Sequence, residues 1–203
     1  GAVDLAYSGG SGDDKIRLAG SNITASDTIT GGAGADNFTY TAVAQSTGTT
    51  KDSITDYTSG TDVFTFTINN SGNTSGQTYD ATVQTAQAGT TAIQANMSGS
   101  IGQTFWDTTN NTLVVNANAD NLVTTLDYQI DLNAASTTAN TIAAGDINFV
   151  ITGGSAQDTI TTGSGDDNIT TGNGGGTVTA GAGDDVITGG TGVDTIVGGA
   201  GND

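Results

Sequence analysis

The residues able to do chemistry in this chain are mostly aspartates, and near the C-terminus they recur at a fixed step. From Gly153 the sequence falls into nine-residue blocks: GGSAQDTIT, TGSGDDNIT, TGNGGGTVT, AGAGDDVIT, GGTGVDTIV and a truncated GGAGND. The sixth position holds Asp158, Asp167, Gly176, Asp185, Asp194 and Asp203. The eighth holds Ile160, Ile169, Val178, Ile187 and Ile196. Carboxylates and turn carbonyls are hard oxygen ligands, the donor set that suits Ca2+. A single Gly-x-Asp turn would read as a plain solvated turn. An uninterrupted run in register favours metal.

The elements that position these aspartates follow from the same blocks. Six Gly-rich residues form a tight turn, because Gly reaches backbone angles that other residues avoid. The next three, of the form x-Ile/Val-x, form a short strand with one apolar side chain directed inward. Such a strand cannot bury its apolar face alone, so the unit is stable only as a stacked array. Stacking brings carboxylates to a spacing of ~4.8 Å. At that spacing they repel one another unless cations lie between them.

Composition narrows the function classes. The chain has 203 residues, with 3 Lys+Arg against 21 Asp+Glu, every acid being Asp, and a formal net charge of −18. It has no His and no Cys. That excludes a Cys- or His-dependent nucleophile, a zinc site of the usual kind and a disulfide framework within these residues. The charge excludes nucleic-acid binding through basic patches. No apolar run approaches ~20 residues. The absence of Glu argues against a helix-rich fold. The Gly-, Thr- and Asn-rich composition would suit a disordered chain if it had no period.

The array resembles the RTX (haemolysin-type) calcium-binding nonapeptide family, whose repeat is G-G-x-G-x-D-x-U-x. The resemblance implies an all-β fold of parallel β-rolls, with two blocks per coil and Ca2+ between successive turns on each side. It also implies type I secretion and folding outside the cell. With two blocks per coil, like faces are eighteen residues apart. One side then carries Asp167, Asp185 and Asp203, with Gly165 and Gly183 in their turns. The other carries Asp158, Gly176 and Asp194. Ordered Ca2+ is expected between the turns of Asp167 and Asp185 and of Asp185 and Asp203, with weaker or empty sites bridging Gly176.

Less regular copies stand at the N-terminus. Gly9–Arg17, Asn22–Thr30, Gly31–Thr39 and Thr47–Thr55 put Asp14, Asp27, Asp36 and Asp52 sixth. Insertions at Leu18–Ser21 and Tyr40–Ser46 break the register. If they loop out, Asp14 pairs with Asp36 and Asp27 with Asp52. Asp4 is a relic of ambiguous register. The following stretch, Asp52–Phe66, resembles the family's closing motif D-x-I-x-D-F-x-x-G-x-D, with Tyr57 in place of Phe. Asp56 and Asp62 there supply either a terminal Ca2+ site or a metal-free capping turn.

Residues 62–152 differ in character. Phe64, Phe66 and Ile68 alternate with threonines, Thr104–Asn116 reads as a hairpin, and Leu126–Leu132 and Ile147–Ile151 alternate again. Period-two alternation predicts half-buried antiparallel strands. Asp80 is a candidate cap for a short helix. Trp106 reads as a hairpin core anchor rather than a binding platform. Asn116, Asn118, Asp120 and Asp127 mimic the spacing of a calcium loop, without its Gly or terminal Glu; a plain Asx-rich turn competes. The expected organisation is an irregular roll over 1–61, an antiparallel β segment over 62–152 and a second roll over 153–203.

The functional expectation is a non-catalytic, calcium-binding extracellular structural module. It would be a segment of a larger surface-layer or fibre protein that folds and self-associates, or meets tandem neighbouring domains, on Ca2+ binding. About five ions would contribute roughly +10 of charge. The composition resembles RTX-type surface-layer proteins of Gram-negative bacteria. The absence of an initial Met and the mid-block stop read as a fragment. The competing expectations are an accessory domain of a type I-secreted protease, lipase or epimerase, and an adhesin stalk. The chain lacks H-E-x-x-H and G-x-S-x-G with His.

Overall fold

The computed structural model describes residues 5–18, 25–41, 46, 50–58, 60–69, 78–81, 91, 94, 100–107, 112–117, 128–131, 147–153 and 155–203. Sixteen strands are found among them. The first six are β1 (Ala6–Ser11), β2 (Lys15–Leu18), β3 (Thr28–Ala33), β4 (Asn37–Tyr40), β5 (Ser53–Ile54) and β6 (Val63–Asn69). The middle of the chain adds β7 (Thr78–Ala81), β8 (Thr104–Asp107), β9 (Thr112–Val115) and β10 (Tyr128–Asp131). The last six are β11 (Ile147–Thr152), β12 (Asp158–Thr162), β13 (Asn168–Thr170), β14 (Gly176–Ala182), β15 (Val186–Thr188) and β16 (Asp194–Ala200).

Apart from β8, β9 and β10, consecutive strands alternate between two sides of a parallel solenoid. One side is a single six-stranded sheet, in the order β15-β13-β11-β6-β4-β2, with every pair parallel. The other side is built of two sheets. In one, β1-β3-β5 continues into β10-β9-β8; the other runs β7-β12-β14-β16. The eighteen-residue step holds throughout the C-terminal coils, where Asn168 pairs with Val186 and Gly176 with Asp194. In the N-terminal coils the step stretches to 22, 25 and 26 residues. The insertions therefore leave the strand pairing intact, and Leu18 and Tyr40 remain in strands.

The turns show why the repeat needs glycine. Gly181 and Gly199 have φ of 110° and 129°, and a Cβ on Gly199 would run into the carbonyl of Gly181 one coil away. Where a block opens with glycine, that glycine has a different task. A Cβ on Gly31 or Gly198 would strike Oδ2 of Asp36 or Asp203. The sixth-position carboxylate folds back over the first α-carbon, so the motif's glycine and aspartate are one steric unit.

Strand pairing joins the segment expected between the two rolls to both of them. Parallel stacking and the all-β class are found, but β6 pairs with β11 in parallel over six residues, Phe64 opposite Ile147 through Asn69 opposite Thr152. The boundaries at 61/62 and 152/153 thus fall within one continuous sheet. Alternation in Val63–Asn69 and Ile147–Thr152 reports one buried face, which a parallel solenoid strand also has. Among the described residues antiparallel pairing is confined to β8-β9-β10, where the hairpin places Trp106 opposite Leu113. Thr78–Ala81 is a strand paired with β12, so Asp80 does not cap a helix there; β-branched Thr suits a strand.

A single apolar core runs between the two sides. In the C-terminal coils it consists of Ile160, Ile169 and Val178. Toward the middle it becomes aromatic. Phe64 lies 5.6 Å from Phe38, 5.1 Å from Tyr57 and 5.8 Å from Phe66, and Phe66 lies 6.2 Å from Phe149. Offset rings at these separations contribute beyond their buried area.

Candidate metal centre

Each short strand is preceded by its sixth-position aspartate, and strand pairing stacks these residues into ladders. The amide N–H of one aspartate donates to Oδ1 of the aspartate one coil later. On the continuous-sheet side Asp14 donates to Asp36 (3.0 Å) and Asp36 to Asp62 (3.0 Å). Further along, Phe149 donates to Asp167 (2.7 Å), Asp167 to Asp185 (2.8 Å) and Asp185 to Asp203 (3.2 Å). On the opposite side Leu5 donates to Asp27 (2.9 Å) and Asp27 to Asp52 (3.0 Å). Leu5 occupies the position sought for Asp4, which lies outside the described residues.

The ladders on the continuous sheet do not form one column. Asp167 sits in the row of Phe149, which pairs with Phe66, four residues beyond Asp62. The N- and C-terminal ladders are therefore displaced along the strands by roughly 13 Å.

The other C-terminal face is interrupted where the sequence has Gly176. There the amide of Asp158 finds no carboxylate one coil on and donates to the carbonyl of Gly175 at 3.3 Å. Asp158 and Asp194 stand two coils apart.

Electrostatics separates these carboxylates from solvated turn residues. Asp27, Asp36, Asp52, Asp62, Asp158, Asp167 and Asp185 are all buried. Burial pushes the Asp167 carboxyl up to about 7, and the charge of Asp185 adds to the rise. Burial likewise raises Asp52 to about 7, with Asp27 contributing. Asp62 and Asp185 are raised for the same first cause. Oδ2 of Asp14, Asp167 and Asp185 and Oδ1 of Asp194 are buried without a hydrogen-bond donor. The hydroxyl of Thr162 donates to the Ala180 carbonyl (2.6 Å). A buried carboxylate oxygen without a donor costs free energy, and a cation removes that cost.

Among the described residues no three acidic side chains converge as a preformed chelate. Each ladder step supplies two carboxylates, so further oxygens must come from the turns. A Cβ on Gly153 would touch both Oδ2 of Asp158 (2.6 Å) and the carbonyl of Thr171 (2.5 Å), so carboxylate and carbonyl oxygens share that space. The Gly165 carbonyl points at the α-carbon of Gly183 and the Gly183 carbonyl at that of Gly201, beside Oδ1 of Asp166 and Asp184. The donor set fits Ca2+.

Asp56 and Asp62 are occupied otherwise. Asp56 accepts from the amides of Gly31 (2.9 Å) and Gly32 (2.7 Å). Asp62 accepts from Asp36 and from Thr58 (2.7 Å). Both carboxylates thus tie backbone amides of the turns, the bonding that a capping turn requires. Asn116 is also committed, donating its side-chain amide to the Ser100 carbonyl at 3.1 Å; Asn118, Asp120 and Asp127 lie outside the described residues.

A second, outer ladder was missed from sequence. The amide of Asp166 donates to Asn148, Asp184 to Asp166 and Asn202 to Asp184, at 2.8–2.9 Å. Asp13 accepts the equivalent bond from the Ala35 amide. The doubled Asp in the GDD blocks was the available signal.

Stacked coils, paired carboxylates and glycine turns define a calcium-type parallel β-roll. Residues 2–125 match the family described as peptidase M10 serralysin C terminal. Residues 150–178 and 170–203 match the RTX calcium-binding nonapeptide repeat. The chain therefore belongs to the serralysin C-terminal, RTX-bearing family, whose nonapeptides are calcium-binding motifs. No curated protein matches the chain.

Proposed function

We propose that this chain is a calcium-dependent extracellular structural module, part of a larger surface-layer or matrix protein exported by the type I route. In this reading Ca2+ sits between Asp167 and Asp185, Asp185 and Asp203, Asp14 and Asp36, and Asp27 and Asp52, with weaker sites at Asp158 and Asp194. Gly165 and Gly183 lend carbonyl oxygens, and Asp56 and Asp62 cap a turn. The module itself is non-catalytic. The observation that carries the reading is the buried Oδ2 of Asp14, Asp167 and Asp185, each left without a donor in a ladder. Metal that binds only the folded state drives folding by mass action. Extracellular modules of this kind bind Ca2+ at ~10⁻⁴–10⁻³ M, so the chain would stay unfolded in a low-calcium cytosol and fold after export. Circular dichroism during a Ca2+ titration tests this: a coil-to-β change near millimolar Ca2+ is expected, and a β spectrum indifferent to chelator contradicts it.

A second reading is an accessory domain of a secreted enzyme. The match to a serralysin C-terminal family supports it. A peptidase motif in flanking sequence would select it, and Ca2+-dependent sheets or filaments under the electron microscope would select the structural role.

A further inference from the structure

The fifth position of each block, just ahead of the ladder aspartate, changes from one step to the next. It holds Asp166, Asp184 and Asn202 on the C-terminal face whose inner ladder is unbroken. On the face interrupted at Gly176 it holds Gln157, Gly175 and Val193. In the N-terminal coils it holds Asp13 and Ala35 ahead of Asp14 and Asp36, but Ser26 and Lys51 ahead of Asp27 and Asp52. Outer carboxylates thus accompany some ladder steps and are missing from others.

The two ladders bond the turns in opposite senses. Inner bonds run from the earlier coil's amide to the later carboxylate, as from Asp167 to Asp185. Outer bonds run from the later amide to the earlier side chain, from Asp184 to Oδ1 of Asp166 at 2.8 Å and from Asn202 to Oδ1 of Asp184 at 2.9 Å. Asn148 fills such a rung with a neutral side chain, its Oδ1 accepting from Asp166 at 2.9 Å. The hydrogen bond does not require the charge. What Asp adds over Asn is a fixed negative charge beside the inner ladder. Oδ1 of Asp166 stands by the Gly165 carbonyl at the α-carbon of Gly183, and Oδ1 of Asp184 by the Gly183 carbonyl at that of Gly201. The inner carboxylates feel these charges. After burial, Asp185 and Asp166 raise Asp167, and Asp203, Asp166 and Asp184 raise Asp185. Asp167 and Asp185 are buried, each with an Oδ2 lacking a donor, whereas Asp166 and Asp184 are exposed. The outer pair acts through space on whatever those inner oxygens hold.

We propose that the fifth residue of each block grades the Ca2+ affinity of its ladder step, an outer Asp raising it by charge alone. The proposal rests on the calcium reading above and specifies what sets the order in which its sites fill. The steps Asp167–Asp185 and Asp185–Asp203, flanked by Asp166 and Asp184, load first. Asp14–Asp36, beside Asp13 alone, loads next. Asp27–Asp52, with Ser26 and the cation of Lys51 at the fifth position, loads last of these. Because the outer charges are exposed, their effect is screened by salt.

A residue-resolved Ca2+ titration of the 203-residue chain, followed by the amide NMR signals of the ladder aspartates beside circular dichroism, tests it. The wild type should show the loading order just given. Asp166→Asn combined with Asp184→Asn keeps the outer bonds and should keep the β spectrum in saturating Ca2+. It should raise the Ca2+ midpoint of Asp167 and Asp185 on the order of tenfold at ~0.01 M salt and far less at ~1 M, with Asp27 and Asp52 unmoved. Ala35→Asp, at an exposed site, should lower the midpoint of Asp14 and Asp36. An unchanged midpoint in the double variant, or a change of the same size at both salt concentrations, overturns the charge grading and leaves the calcium reading standing. A chain whose spectrum and signals ignore Ca2+ overturns both.

Discussion

The N-terminal coils and the C-terminal coils solve the same stacking problem differently. From β1 to β6 the coils are 22–26 residues long, and the core holds Phe38, Tyr40, Tyr57, Phe64 and Phe66, all buried. Asp56 and Asp62 there have their oxygens engaged by backbone amides. From β12 to β16 the coils keep to eighteen residues, and each strand contributes about one aliphatic side chain to the core. Fully burying an Ile or Val is worth about 1.5–3 kcal/mol, so the two in a coil weigh little against the ordering of its eighteen residues at ~1–2 kcal/mol each. On the proposed calcium reading, apolar burial contributes more in the first region and cations more in the second.

The sharpest way to break this contrast is to remove Ca2+. Chelator should abolish hydrogen-exchange protection in β13, β14 and β15 while β4 and β6 keep part of theirs. Uniform loss across both regions would erase the distinction. Truncating the aromatic core comes next: Phe66→Ala should cost about 3–5 kcal/mol in saturating Ca2+, read from the denaturation midpoint, and should leave Ca2+ affinity of the C-terminal ladder nearly unchanged. Asp185→Ala removes the shared carboxylate of two ladder steps. It should weaken Ca2+ binding by about ten- to a hundredfold in calorimetry, and Asp194→Ala by much less.

A pH titration sharpens the electrostatic side. Without metal, Asp167 and Asp52 hold their protons to about 7 in the folded state, whereas the unfolded chain releases them near 3.8. The folded state thus binds more protons between these values, and metal-free stability falls as pH rises through that window. In chelator the β signal should be strongest near pH 4 and decline toward pH 7. With Ca2+, which needs ionised carboxylates, it should rise with pH. The smallest effect is expected from Gly176→Asp. A Cβ there would press on the Asp158 carbonyl at 3.0 Å; if that backbone gives by a few tenths of an ångström, the missing rung is supplied and the Asp158–Asp194 face should gain Ca2+ affinity.

The C-terminal ladder was legible in the sequence because no insertion interrupts it: an eighteen-residue step fixes which aspartates meet. The pairings of Asp14 with Asp36 and Asp27 with Asp52 were legible once the insertions were allowed to loop out. The union of β6 with β11 was not. It joins strands on either side of residues 70–146, and alternation is the same in parallel and antiparallel sheets. β7 was hidden for a related reason, since four Thr-, Tyr- and Asp-containing residues carry no pattern until β12 offers an edge. The outer ladder of Asp166 and Asp184 was overlooked because the sixth position already explained why the blocks contain Asp.

The most direct test is an anomalous-difference map of Ca2+-grown crystals. Peaks should stand between Asp167 and Asp185 and between Asp185 and Asp203, stronger than any peak on the face bearing Gly176. Turns that stack with no density between them, or equal peaks on both faces, would contradict the assignment of these ladders as calcium sites.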